Sequence, residues 1–337
     1  MKLLIKNIIT FFIYWLGPHR WPSLKPKAVI LGYHRVIPKD HIDISIMQPG
    51  MYVYPETFEM HIKTLGKYFH FMSLNEWVDR TVKNESIPKR VCILTFDDGW
   101  VDNYEYAFPI LKKYNVPATI YLVSQMLIKP AAFWPERLAR ILWNNGEGLA
   151  EQIIEHIDFA WIKELNVLRF YSGIVLSKED IDNIITAAKR YSDEEINIKL
   201  DALESIAEPK GIRGDIVNLH QVKEMLNSRL IEIGAHTRLH KRMDKIQSDK
   251  EISNEIVMCK DELQEMLSVL PNSFCYPNGI VTDKALEKVK ENYSSACTTE
   301  KGINNPNTSK HLLKRYLIHN DISDSPSKIL SSVSGFF

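Results

Sequence analysis

Val91-Cys92-Ile93-Leu94-Thr95-Phe96-Asp97-Asp98-Gly99-Trp100-Val101-Asp102-Asn103-Tyr104 is the stretch that decides the fold. A short apolar run, bounded by a turn residue, reads as a buried strand. Asp97 and Asp98 then stand at its carboxyl end, where α/β sheets place their chemistry. Two adjacent carboxylates repel each other unless a cation sits beside them. The rest of the chain must supply that cation, or the pair is a solvated turn.

Outward from this run, the other apolar segments also end in polar residues. Ala28-Val29-Ile30-Leu31-Gly32-Tyr33 delivers His34, and Leu230-Ile231-Glu232-Ile233-Gly234-Ala235 delivers His236. Ser273-Phe274-Cys275 leads to Tyr276-Pro277-Asn278-Gly279, and Leu312 to Ile318 leads to His319. Pro117 to Val123 is a further strand. Helical spacing separates these runs: 55–68 with Phe58, Ile62 and Leu65 on one face, a stretch opened by the Ser73-x-x-Glu76 capping pattern, 108–114, 248–267 and 282–292. Strand-helix-strand order predicts a parallel sheet with right-handed crossovers, an α/β fold whose polar strand ends share one rim.

Between Gln125 and Lys223 the signals are helical. Ser177-x-x-Asp180 and Ser192-x-x-Glu195 are capping boxes, followed by Ile181, Ile184, Ile185, Ala188, then Ile196, Leu200 and Leu203. Phe133 and Trp134 read as core rather than as substrate contacts. The organisation expected is a basic, aromatic segment 1–27, a first part of the sheet domain 28–124, a helical insertion 125–223 and a second part 224–337.

The chain has 337 residues, 45% hydrophobic and 25% charged, with 42 Lys+Arg against 42 Asp+Glu. That balance excludes a generic nucleic-acid binder. Cys92, Cys259, Cys275 and Cys297 have no metal-type spacing and read as reduced thiols, which favours the cytoplasm. Residues 1–39 carry Lys2, Lys6, Arg20, Lys25, Lys27, Arg35 and Lys39 and no acid. The apolar stretch Ile8–Leu16 within them is shorter than the roughly 20 residues of a bilayer span. Basic residues beside Phe, Tyr and Trp suit either a helix lying in a membrane interface or one packed on the protein's own surface. The locations expected are the cytoplasm, with peripheral contact on the inner membrane, or an anchored extracytoplasmic form.

His236-Thr237-Arg238-Leu239-His240 sets two imidazoles four residues apart, on one side of a helical turn. Two imidazoles and one carboxylate form a facial ligand set that leaves positions for water and substrate. Asp98 is the natural third ligand, and the ion would relieve the Asp97–Asp98 repulsion. Asp97 is then free to act as a general base, with the ion polarising a carbonyl. The expected chemistry is hydrolysis of an amide or ester.

Taken together, Thr95-Phe96-Asp97-Asp98-Gly99, His236-Thr237-x-x-His240 and Phe274-Cys275-Tyr276-Pro277-Asn278-Gly279 resemble the first three motifs of the polysaccharide deacetylase family, the NodB-homology domain of carbohydrate esterase family 4. Tyr33-His34-Arg35-Val36 is similar to a segment common before that domain. The resemblance covers about residues 28–124 and 220–320. It implies a distorted (β/α) barrel of about seven strands that removes N-acetyl groups from amino sugars with a divalent metal, often zinc. It implies Asp97 as base and Asp98, His236 and His240 as metal ligands. It also implies substrate or oxyanion contacts from Tyr276 and the Asn278 N–H, and His319 in the three-residue match Leu317-Ile318-His319 as general acid. His34 is a rival for the acid or a substrate contact. The family's arginine in the third motif is replaced here by Cys275; its support of the base is either missing or comes from elsewhere, with Arg315 the candidate. The partner implied is an N-acetylated carbohydrate or glycolipid of bacterial surface assembly. The alternatives are a deformylase or other amidohydrolase on the same site, and a sugar-binding protein with a decayed site, which the intact aspartates and histidines disfavour.

Overall fold

In the computed structural model of the chain, residues 10–21, 25–41, 44, 47–48, 50–144, 177–207 and 215–335 are described. The side chain of Leu203, residues 1–9 and the parts of the expected insertion at 145–176 and 208–214 lie outside that description.

The strands are β1 (Lys27–Tyr33), β2 (Arg35–Val36), β3 (Tyr52–Val53), β4 (His70–Phe71), β5 (Arg90–Phe96), β6 (Ala118–Leu122), β7 (Ile231–Ala235), β8 (Ser273–Cys275), β9 (Ser295–Cys297) and β10 (Tyr316–Leu317). The main sheet has the order β10-β1-β5-β6-β7-β8-β9, with β4 against the start of β5, and every pairing in it is parallel. Leu313 bridges to Cys297 of β9, and four residues later Leu317 pairs with Gly32 of β1. The run Leu313–Leu317 therefore joins the two ends of the sheet, which is a distorted (β/α) barrel of seven strands. β2 and β3 form a separate parallel pair beside it.

Alternation along the strands builds the interior. Ala28 and Ile30 of β1, Val91 and Ile93 of β5, Tyr121 of β6, Cys275 of β8 and Cys297 of β9 pack into one buried cluster with Leu313. Thr95 and then Asp97 continue the inward face of β5 toward the carboxyl rim. Helix 74–82 contributes Trp77 and Val78 to the same cluster. Its cap is half of the expected box: Ser73 Oγ accepts from the Glu76 N–H, but Glu76 reaches Arg80 (2.8 Å) and Ser73 Oγ donates to Glu232 (2.5 Å). The Glu76 carboxylate that would complete the box is taken by Arg80. All four cysteines are buried free thiols.

Two compact units are present: Met1–Pro38, Gly50–Lys129 and Ile216–Phe337 form one, Lys39–Pro49 and Pro130–Asp215 the other. The second is helical where described, at Trp134–Asn144, Lys178–Ala188 and Asp193–Ala207. Its core is Leu138, Ile141, Leu142, Ile181, Ile184, Ile185, Ala188, Ile196 and Leu200. Trp134 belongs to this core and donates its indole N–H to Asp193 (2.9 Å). The Ser177 and Ser192 capping boxes both form.

Candidate active site and metal centre

Parallel register gathers the strand ends. Tyr33 pairs with Phe96, so His34 follows beside Asp97, whose N–H donates to the Tyr33 carbonyl (2.9 Å). Leu122 pairs with Ala235, and the His236 N–H donates to the Leu122 carbonyl (2.9 Å). Gly32 pairs with Leu317, so His319 leaves β10 at the same rim.

At Asp98 the chain turns sharply, with φ 75° there and 76° at Gly99. Gly99 is required twice over, because a Cβ would also meet Leu122 Cδ2 at 2.6 Å. The turn brings Asp98 Oδ1 to 3.4 Å from the Nε2 atoms of both His236 and His240. The ligand atoms of these three residues all lie within 4.8 Å of one another. Trp100 Nε1 donates to Asp98 Oδ2 (3.0 Å), leaving Oδ1 buried and without a hydrogen-bond partner. His236 Nδ1 bonds the Cys275 carbonyl (2.7 Å), which assigns the proton to Nδ1 and frees Nε2. A buried orphan carboxylate oxygen facing two imidazole nitrogens is a donor set that fits a divalent ion. Burial opposes charge on Asp98, yet the adjacent histidines hold its carboxyl well below the usual range.

The two histidines do not lie on a helical turn, as the spacing suggested. Residues 236–242 are irregular, and Thr237 (φ 65°) and His240 (φ 60°) are left-handed. The imidazoles converge because the loop is tied down. Glu255 accepts from the Arg238 N–H with its carbonyl (3.0 Å) and from the Leu239 N–H with its carboxylate (2.8 Å). Glu262 accepts from Arg238 Nε (2.7 Å). Glu255 sits in a π-helical turn, Asn254–Met258, within the long helix of 249–267. Such turns expose main-chain carbonyls to partners outside the helix. Among the described residues, eight non-glycine residues have positive φ, and Asp98, Thr237, His240 and Asn278 of these lie at this rim, which is where functional sites store strain.

Asp97 takes the other side. Arg315, fully buried on the closing run, grips it with both guanidinium arms: Nη1 to Oδ1 at 2.7 Å and Nη2 to Oδ2 at 2.8 Å. Arg315 also donates to Thr95 Oγ1 (3.1 Å), the Thr298 carbonyl (2.9 Å) and Cys275 Sγ (3.1 Å). Burial raises the Asp97 pKa, but the charge and hydrogen bonds of Arg315, with smaller contributions from His236 and His34, together lower it, so the carboxyl stays below its ordinary value. Asp97, His236 and Cys275 also have mutually close donor atoms, but the guanidinium fills that space, so the cation there is Arg315. His34 Nε2 lies 4.0 Å from Asp97 Oδ2.

The third-motif residues divide. Tyr276 is fully buried, its N–H bonded to the Cys297 carbonyl (3.2 Å) and its O–H to the His311 carbonyl (3.4 Å). Contrary to expectation, both its donors are engaged in the fold; strand alternation turns its ring into the core against Phe274. Asn278 is exposed, in the first turn of the 3₁₀ segment Pro277–Gly279, where an N–H has no partner within the turn. His319 is half-buried, with Nδ1 3.4 Å from Asp321 Oδ2, and burial lowers its pKa.

Sequence reasoning passed over Trp100, Arg35 and Asp102. Arg35 stacks over the Trp100 ring (4.5 Å to the centroid), and its Nε donates to Asp102 Oδ2 (2.7 Å). Asp102 also accepts from the Val36 N–H (2.7 Å), fixing the segment that carries His34. The only signal was proximity in sequence: Trp100 two residues past Asp98, Arg35 one past His34.

Residues 84–162 and 175–294 match the model of the family described as polysaccharide deacetylase. The chain belongs to that family. Among sequence relatives of this deacetylase-family chain, the poly-beta-1,6-N-acetyl-D-glucosamine N-deacetylase of Staphylococcus epidermidis is 34% identical over 108 residues, 30% of this chain and 37% of that one. The protein of the same name from Staphylococcus aureus (strain N315) is 33% identical over 116 residues, 32% and 40%. YxkH of Bacillus subtilis is 27% identical over 159 residues, 47% and 52%. The chain thus matches about half or less of the length of these relatives. Among solved structures, the Streptococcus pyogenes deacetylase PplD in complex with acetate superposes with a TM-score of 0.58 at 20% identity, covering 93% of this chain and 99% of that one. IcaB from Ammonifex degensii gives 0.58 at 17% identity, covering 90% and 97%. These two likenesses bear on the barrel.

Proposed function

We propose that the protein is a metal-dependent N-deacetylase acting on an N-acetylated amino-sugar polymer of the bacterial cell surface. The observation that carries this reading is the buried orphan oxygen of Asp98, 3.4 Å from two imidazole nitrogens, next to an ionised Asp97. Family membership and the names of the staphylococcal relatives supply the substrate class. Asp98, His236 and His240 would hold the ion; two imidazoles and a carboxylate suit zinc. When bound, the ion polarises the acetyl carbonyl and lowers the pKa of the attacking water. Asp97 would take the proton of the attacking water as the water's oxygen bonds to the acetyl carbon. Arg315 keeps Asp97 ionised for that purpose and fixes its orientation. The Asn278 N–H, in the first turn of its 3₁₀ segment, is assigned to the developing oxyanion. The C–N bond then breaks, and a rim imidazole, His319 or His34, gives the leaving amine its proton. The products are acetate and a free amino sugar. Acetate release from β-1,6-linked N-acetylglucosamine oligomers tests the reading; no release from these or from other N-acetylated glycans would overturn it.

Trp100 sets which oxygen of Asp98 is free. Trp100→Phe keeps the ring over Arg35 but removes the hydrogen bond to Oδ2. The expected result is a loss of roughly 10–100-fold in Co²⁺ affinity by competition titration, with an unchanged fold by circular dichroism.

The basic N-terminus adds peripheral membrane contact to this reading. Among the described residues, no helix is long and apolar enough to cross a membrane.

A further inference from the structure

Residues 10–16 are helical, and the helix faces the wrong way for a surface helix. Thr10, Ile13 and Gly17 are buried, while Phe11, Phe12, Trp15 and Leu16 point outward with exposures between 55% and 65%. Trp21, just beyond, is 55% exposed. The larger apolar side chains are on the solvent side, the reverse of ordinary amphipathic packing. A contiguous aromatic face of this kind marks an interaction surface.

Its place in the barrel is fixed. Arg90, the first residue of β5, donates to the carbonyls of His19 and Trp21. Arg20 donates to the Tyr68 hydroxyl (2.8 Å). A cavity under the segment is lined by His19, Trp21, Lys27, Arg90, Leu330 and Val333. Lys27 and Arg90 open β1 and β5, whereas His34 and Asp97 follow their far ends. The aromatic face and the metal centre therefore sit at opposite ends of the barrel. Seven residues of strand at ~3.3 Å each separate them by roughly 20 Å.

The chemistry of the partner follows from charge. Residues 10–27, which hold the aromatic face, carry Arg20, Lys25 and Lys27 and no acidic side chain. Exposed Phe, Trp and Leu flanked by Lys and Arg match the acyl boundary and headgroups of an anionic bilayer. We propose that residues 10–21 seat the protein on an anionic phospholipid bilayer with the catalytic rim facing away from it. The substrate is then a stretch of glycan standing clear of the membrane, not a sugar joined directly to a lipid. Of the two partners the family resemblance implies, this selects the carbohydrate over the glycolipid. It rests on the proposed function for which end is catalytic.

The test uses the full chain and the variant Phe12→Ser/Trp15→Ser/Leu16→Ser, whose changes are all at exposed positions. Wild type is expected to co-sediment with phosphatidylglycerol-containing vesicles and not with pure phosphatidylcholine vesicles, and the variant to lose at least about tenfold in partitioning. Vesicle-bound wild type is expected to release acetate from soluble N-acetylglucosamine oligomers as fast as free enzyme, and to release none from N-acetylglucosaminyl lipid in the same vesicles. Equal sedimentation of wild type and variant, or of neither, overturns the proposal. So does a wild-type dimer that the variant breaks, which assigns the face to a second copy. Hydrolysis of the embedded lipid overturns the orientation. Absence of acetate from the soluble oligomer faults the deacetylase reading alone, and sedimentation still judges the docking.

Discussion

Asp97→Asn is expected to lower turnover roughly 10²–10⁴-fold while leaving Co²⁺ affinity within about threefold. Asn matches Asp in size, and its amide oxygen still accepts from one arm of Arg315. What it lacks is basicity. None of the three side chains proposed to hold the ion is altered, because Asp98 is oriented by Trp100, His236 by the Cys275 carbonyl, and the His240 loop by Glu255. The separation of the two readouts is the point. A loss of turnover with the ion retained assigns Asp97 to proton transfer, whereas a parallel loss of ion affinity would assign it to the ligand set. A sugar-binding protein would show neither change.

Arg315→Met is expected to have the largest effect on stability. The side chain is fully buried and forks onto a fully buried carboxylate. Removing one partner of such a pair leaves an uncompensated charge and costs about 3–5 kcal/mol. The pH dependence has a definite sign. In the wild type, Asp97 ionises below its ordinary value, so its contribution to stability is present above the unfolded-state pKa and fades as pH falls through the folded one. Without Arg315, only His236 and His34 oppose the desolvation of the buried carboxylate, and the folded pKa rises. Wild type and variant should therefore differ little in strong acid and diverge as pH rises through the carboxylate range, in urea melts. The acid limb of kcat/KM should move to higher pH in the variant. A variant with an unshifted acid limb would contradict the role given to Arg315.

Much of this was legible in sequence because strand-end chemistry is local. The β5 run places Asp97 and Asp98 at a rim by alternation alone, and His34 and His236 follow from the same rule. Parallel register then does what no motif states: it sets His34 beside Asp97 and His236 beside Cys275. The helical turn assigned to His236–His240 was wrong because i,i+4 spacing cannot distinguish a helix from a loop tied by Glu255, whose partner N–H groups lie 16 or more residues away. Arg315 was only a candidate, since its grip on Asp97 spans 218 residues and depends on how the barrel closes. Tyr276 was misplaced because its position in a motif says nothing about which way its strand turns its ring. Trp100 was overlooked because an aromatic after a turn reads as core, and its bond to Asp98 is made by a single indole N–H.

The most direct measurement is acetate release from β-1,6-linked N-acetylglucosamine oligomers by protein stripped with chelator and titrated with Zn²⁺ or Co²⁺, beside Asp98→Ala. The stripped wild type should be inactive and recover with one equivalent of ion, and Asp98→Ala should fold, bind the ion at least about 10-fold more weakly and stay inactive at that stoichiometry. Full activity in the stripped protein, or an Asp98→Ala variant that takes up the ion and releases acetate like the wild type, would contradict the account.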